Sequence, residues 1–174
     1  MPEVVQDLLT LLSKQFLSGL VLEFDPDSST PEVRGDRSRL EQILLNLVVN
    51  AAEAMKGAGQ LRLVVRQQRA PEPSYRLRPR SAETYVEVIV ADSGPGIEPE
   101  TLPRIFEPFF TTKQMADVRG TGLGLSIVYT LAQADGLGIS LKARAVLHAR
   151  RSGAHGVTRP TNRRQSTNIH WRLL

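Results

Sequence analysis

Cysteine is absent from the chain, which removes disulfides and thiolate metal sites from consideration. Histidine is nearly so: His148, His155 and His170 all fall near the carboxyl end and lack the paired spacing of a metal site, so no structural zinc is expected. No apolar run approaches the roughly 20 residues of a membrane-spanning helix, and the amino terminus, MPEVVQDLL, has no basic flank of a secretory signal. The expectation is a cytoplasmic segment without membrane contact. Acids are missing from the tail, where residues 144–174 hold seven arginines and no Asp or Glu. Residues 1–143 carry fifteen basic against eighteen acidic side chains, so the net charge of +4 belongs to the tail. No recognition motif accompanies those arginines, and no nucleic-acid partner is expected.

What is present is enough for one compact domain: 174 residues, 41% hydrophobic and 23% charged. The dominant stretch is residues 38–55, SRLEQILLNLVVNAAEAM, whose apolar positions Leu40, Ile43, Leu44, Leu47, Val48, Ala51 and Ala54 recur at helical spacing. Ser38 with Glu41 three residues later predicts a capping box at its start. Asn46 and Asn50 stand four apart on one face of this helix, with Glu53 continuing the stripe. Amides in so apolar a run need partners, and a buried side-chain network or a ligand would both supply them.

Around this helix the periodicity predicts a helix over 2–17, a short strand over 20–24, and two β-rich segments, 60–68 and 84–92, paired across a proline-containing loop. Arg76, Arg78 and Arg80 in that loop read as solvated side chains. Two glycine motifs follow. Asp92-Ser93-Gly94-Pro95-Gly96-Ile97 closes the second strand, where glycine permits a close backbone approach and Asp92 offers an acceptor to an exocyclic amine. Alone, such a sequence is also an ordinary turn. Gly120-Thr121-Gly122-Leu123-Gly124-Leu125-Ser126 precedes a helical segment, IVYTLAQA, and exposes N–H groups at a helix start, an arrangement suited to phosphate oxygens. It has neither the Gly-Lys-Ser/Thr ending nor the GxGxxG spacing of the two common nucleotide loops. Between the motifs, IFEPFFTTK (105–113) followed by polar residues 114–119 predicts an anchored segment leading into a lid.

Together LLNLVVNAAEAM, DSGPGI, IFEPFFTTK and GTGLGLSIV, in this order, resemble the N, G1, F and G2 boxes of the ATP-binding domain of sensor histidine kinases, a branch of the GHKL superfamily. The long inter-strand loop and the NAAEAM ending look most like the nitrogen-regulation-type kinases. The resemblance covers residues 1 to about 140 and implies an α/β fold, a two-layer sandwich with a mixed β-sheet covered on one face by three helices. It implies ATP and Mg²⁺ as cofactors, with Asn50 as metal ligand and Asn46 beside the phosphates. Asp92 would read the adenine amino group, with Gly94, Gly96 and Ile97 lining the base. Gly120, Thr121, Gly122, Leu123, Gly124 and Leu125 would face the phosphates, Lys113 and Arg119 would serve as lid cations, and Thr167 would complete the nucleotide site. An acid at Glu53, where many relatives carry a basic or aromatic residue, argues against a direct phosphate contact there.

The implied function is the catalytic half of a two-component phosphotransferase. It would donate the γ-phosphoryl group to a histidine on a separate dimerisation and phosphoacceptor domain that in turn serves a response regulator. None of this chain's three histidines sits in an acceptor motif, so no self-phosphorylation is expected. The rival readings are a self-contained ATPase and a nucleotide-binding module. In the superfamily's hydrolases a Glu four residues before the metal-binding Asn is the general base; here that position is Asn46, and an amide accepts no proton. The domain is expected to span residues 1–143. Residues 144–174 match the pattern poorly, although 166–173 can supply a last strand at a ragged sheet edge.

Overall fold

The computed structural model describes residues 1–13, 17–27, 33, 35–69, 75–80, 84–112, 121–146 and 166–173, with the backbone alone described for 142–146 and 166–173. Helix α1 (Pro2–Ser13) is followed by strand β1 (Leu20–Pro26), helix α2 (Arg37–Ala54) and strand β2 (Gly59–Gln68). Strands β3 (Tyr75–Leu77) and β4 (Tyr85–Asp92), helix α3 (Gly124–Asp135) and strands β5 (Ile139–Val146) and β6 (Ser166–Leu173) complete the order.

Each element follows its side-chain period. In β2 the buried residues are Leu61, Leu63 and Val65, and the antiparallel register sets them opposite Asp92, Val90 and Val88 of β4. One face of the sheet is therefore apolar, because alternate residues share a face. Against it pack Val5, Leu8, Leu9 and Leu12 of α1, Ile43, Leu44, Leu47, Val48 and Ala51 of α2, and Val128 and Ala132 of α3, all in one buried cluster. Each fully buried Leu or Ile contributes about 1.5–3 kcal/mol relative to exposure, so the three-helix layer over the sheet is held chiefly by this cluster. Polar residues alternate to the other face, where Arg62 meets Asp25 at 3.3 Å and Arg66 meets the buried Glu87 at 2.6 Å. The sheet is mixed, with β1 parallel to β2 and every other pairing antiparallel, in the order β1-β2-β4-β6-β5-β3.

Several expectations require correction. Helix α1 is described as far as Ser13, and Leu17, which the expected helix included, instead reaches the core from a bend. The cap of α2 is Asp36 rather than Ser38. Its Oδ1 accepts from the Ser38 N–H at 2.9 Å and the Arg39 N–H at 3.3 Å, while Glu41 is held by Arg37 at 2.7 Å and so does not close a capping box. The loop between the paired strands contains β3, which pairs with β5, although Arg76, Arg78 and Arg80 are exposed as expected. Finally, β6 is not at an edge: it lies between β4 and β5, and the edges are β1 and β3. Eight consecutive pairs, from Ile139–Leu173 to Val146–Ser166, join it to β5.

Candidate nucleotide site

The alternation that buries Val88 and Val90 also aims Asp92, the last residue of β4, at the helical layer beneath Ala54 and Met55. Helices α2 and α3 pack together, and the end of α3 is tied to the start of α2 by an Arg39–Asp135 ion pair at 2.6 Å. The opposite end of α3 consequently faces the middle of α2. Between α2, the end of β4, the turns after it and the start of α3 lies a cavity of about 760 Å³, within the size range of small-molecule sites.

Asn46, Asn50, Asp92, Gly96, Ile97, Thr121, Gly122, Leu123, Gly124 and Leu125 all line this cavity, so one space gathers residues from three separate motifs. Gly94 does not line it but supports it, because its N–H donates to Asp92 Oδ1 at 2.8 Å. Lys113, Arg119, Gly120 and the proposed lid, 114–119, lie outside the described residues. Thr167 is described by its backbone only, paired with Ala145.

At one end of the cavity the two amides meet the start of α3. A Cβ on Gly124 would stand 3.2 Å from Asn50 Nδ2, a tight contact, and 3.5 Å from Asn46 Oδ1, an ordinary one, so the start of α3 lies close against both amides. Asn46 donates to the Gln42 carbonyl at 2.9 Å, whereas the buried Asn50 Nδ2 has no hydrogen-bond partner. A buried polar atom left unpaired is costly, and a ligand at this point would relieve it. The first residue before α3, Leu123, makes no side-chain cap bond, so first-turn N–H groups remain for an anion. Gly122 adopts φ +67, and a Cβ there would fall 2.5 Å from the Phe109 carbonyl carbon.

At the other end Asp92 is 4% exposed. Burial raises its pKa above the usual carboxylate value, and the hydrogen bond from Gly94 opposes that rise. One oxygen is engaged by the backbone, which leaves the other as a desolvated acceptor, the chemistry needed to read an amino group.

The third wall is residues 98–110, a series of tight turns: Thr101, Leu102, Arg104, Glu107 and Phe110 each donate a backbone N–H to a carbonyl three or four residues back. Ile105 is buried in the core, the Phe106 ring lies 5.1 Å from the Tyr129 ring, and Arg104 covers Phe110 at 4.4 Å. These contacts anchor the segment, while Phe109, at φ +65, is 74% exposed. Sequence reasoning had not singled out Val49, Glu98 and Thr101 as lining residues. Val49 lies one position before Asn50 on a helix whose apolar stripe concealed it, and the other two sit in turns with no period to reveal them.

Residues 35–171 match the family described as histidine kinase-, DNA gyrase B- and HSP90-like ATPase. The chain is 39% identical over 137 residues to the sensor kinase CckA of Brucella abortus, covering 77% of this chain and 14% of that protein. It superposes on the nucleotide-free catalytic domain of histidine kinase ThkA with a TM-score of 0.67 at 26% identity, covering 100% of this chain and 91% of that one. Full-length ShkA in complex with AMPPNP gives a TM-score of 0.65 at 25% identity, covering 99% of this chain and 29% of that one. The chain spans between 10% and 27% of the length of the curated relatives it matches.

Proposed function

Because this chain belongs to the histidine kinase-, DNA gyrase B- and HSP90-like ATPase family, we propose that it is the ATP-binding catalytic domain of a two-component sensor histidine kinase. It binds Mg-ATP and donates the γ-phosphoryl group to a histidine on a separate dimerisation and phosphoacceptor domain, from which a response regulator receiver domain is served. The cytoplasm, where ATP is available, is the compartment this requires. The functional unit takes in residues 1–143 together with strand β6 (Ser166–Leu173), since β6 pairs with β4 inside the sheet.

The observation that carries this reading is the convergence of Asn46, Asn50, Asp92 and the glycines around α3 on one cavity. Asp92 takes a hydrogen bond from the adenine amino group, and the first-turn N–H groups of α3 take the phosphates. The donor set fits Mg²⁺. Among the described residues no cluster of three His, Cys, Asp or Glu is placed to hold a metal alone. Asn50 instead presents a buried, unpartnered amide end, and rotation of that amide sets its oxygen, a hard ligand, toward a cation shared with ATP phosphates. Bound there, Mg²⁺ supplies charge neutralisation for phosphoryl transfer.

The same site disfavours the self-contained ATPase. Asn46 occupies the position of the hydrolytic base and donates to Gln42, so water at the γ-phosphate has no proton acceptor from this helix position. Incubation with γ-labelled ATP tests the reading. Label is expected to pass to an acceptor histidine when the dimerisation domain of a related kinase is supplied in trans, and to stop with Asn50→Ala. Label on this chain alone, or rapid phosphate release that survives Asn50→Ala, overturns it.

A further inference from the structure

The chain leaves the sheet after Asp92 at an irregular rung. In the β2–β4 register Leu61 stands opposite Asp92, so the next pair is Gln60 and Ser93. The Ser93 N–H donates to the Gln60 carbonyl at 3.0 Å, as an antiparallel ladder requires. The reciprocal bond is different, because the Gln60 N–H is accepted by the Ser93 side chain, Oγ, at 2.9 Å, where a regular rung would use the Ser93 carbonyl. A hydroxyl oxygen standing in for that carbonyl lets the peptide after Ser93 turn out of the strand direction. This peptide carries the Gly94 N–H, the donor to Asp92 Oδ1 at 2.8 Å. The same hydroxyl donates to Met55 Sδ at 3.4 Å, and Met55 closes α2, the helix that holds Asn50. The joint is close-packed: a Cβ on Gly59 would fall 2.8 Å from Ser93 Oγ and 2.6 Å from Met55 Sδ.

We propose that Ser93 is a positioning residue for base recognition: its hydroxyl replaces the last carbonyl acceptor of the β2–β4 ladder and so fixes the turn that aims the second oxygen of Asp92 at the base. The inference rests on the ATP-site reading above and goes beyond it to a group outside the cavity that sets its discrimination between bases. Ser93 is exposed and does not line the cavity, so it acts through Asp92 and not by touching the nucleotide. Without the hydroxyl, the Gln60 N–H turns to water or to the Ser93 carbonyl. Either exchange releases the turn and, with it, the Gly94 N–H that orients the carboxylate. Hydrogen bonds weaken steeply with angle, so a carboxylate no longer held in one orientation reads an amino group less selectively.

Calorimetry on the full chain with Mg-ATP and Mg-GTP tests this, alongside melting curves. Ser93→Ala is expected to weaken Mg-ATP about three- to tenfold, the worth of one ordinary hydrogen bond, and to leave Mg-GTP within about twofold, so the preference for ATP narrows. Ser93→Thr keeps the hydroxyl and is expected to keep the wild-type preference. In an Asp92→Asn background Ser93→Ala should change the preference no further, because the two residues act through one contact. An unchanged ATP-to-GTP ratio in Ser93→Ala overturns the proposal even if the melting temperature falls, since the serine then only stabilises the turn. The proposal also fails if Ser93→Thr loses the preference as fully as Ser93→Ala, or if Ser93→Ala narrows it equally with Asn at position 92. A wild-type chain that binds neither nucleotide, or binds both equally, overturns instead the ATP-site reading itself. Ser93 is exposed, so the substitutions leave the core intact.

Discussion

Asp92→Asn separates the cost of a residue to folding from its use in binding. The substitution changes no volume, and the asparagine Oδ1 retains the 2.8 Å hydrogen bond from the Gly94 N–H. The second oxygen becomes an NH₂, which sets a donor against the donor of the adenine amino group. A hydrogen bond to a charged partner contributes about 1.5–3 kcal/mol, so its loss weakens ATP by roughly 10- to 150-fold. The NH₂ suits the carbonyl oxygen of guanine, so the preference for ATP over GTP narrows at the same time. Stability moves the other way. Burial raises the folded-state pKa of Asp92 above its ordinary value of 3.8, so the native state binds more protons than the unfolded chain in the interval between the two values. The stability this group contributes is then fully present below pH 3.8 and lost as pH rises through the raised folded value. At neutral pH the ionised, desolvated carboxylate opposes folding, and Asp92→Asn should unfold at higher temperature than the wild type, with the advantage shrinking toward pH 4. Titration calorimetry with ATP and GTP, and melting curves across pH, give both readings. An ATP affinity within about twofold of wild type refutes the adenine role, and a lower melting temperature at pH 7 refutes the desolvation argument.

Asp36→Ala should cost about 1 kcal/mol through loss of the α2 cap, lowering the melting temperature by roughly 2–4 °C, whereas Ser38→Ala should leave it nearly unchanged; the reverse ranking would restore the Ser38 capping box. Gly122→Ala should impose roughly 1–3 kcal/mol of local strain, because its φ of +67 is unfavourable for alanine and the new Cβ meets Phe109 backbone at 2.5 Å rather than a movable side chain. Both thermal stability and nucleotide affinity should fall, and a variant that keeps both would show that the 109–122 contact is not needed to shape the site.

The parts of this molecule that were readable in its sequence are those where chemistry and period coincide within a short window. Asn46 and Asn50 stand out because two amides interrupt an otherwise apolar stripe. Asp92 stands out because a carboxylate ends a strand of Val and Ile just before two glycines. What those residues have in common is that their role is set by neighbours within about one helical turn or one strand. The features that were missed depend on partners far away in the chain. Strand β3 exists only because β5 offers it an edge more than 60 residues later, and β6 becomes an interior strand by pairing with β4 and β5, neither of which its own local pattern can name. Capping illustrates the same limit at small scale. Ser38 and Glu41 have capping-box spacing, but Asp36 is equally suited, and Arg37 decides between them by holding both Glu41, at 2.7 Å, and Asp7 of α1, at 2.6 Å. With Glu41 drawn outward, the reciprocal bond of a capping box is lost and the carboxylate of Asp36 takes the free N–H groups. The start of the central helix, and with it the phase at which Asn46, Asn50 and Glu53 enter the cavity, is thus anchored by a contact between α1 and α2, a tertiary fact that no local window contains.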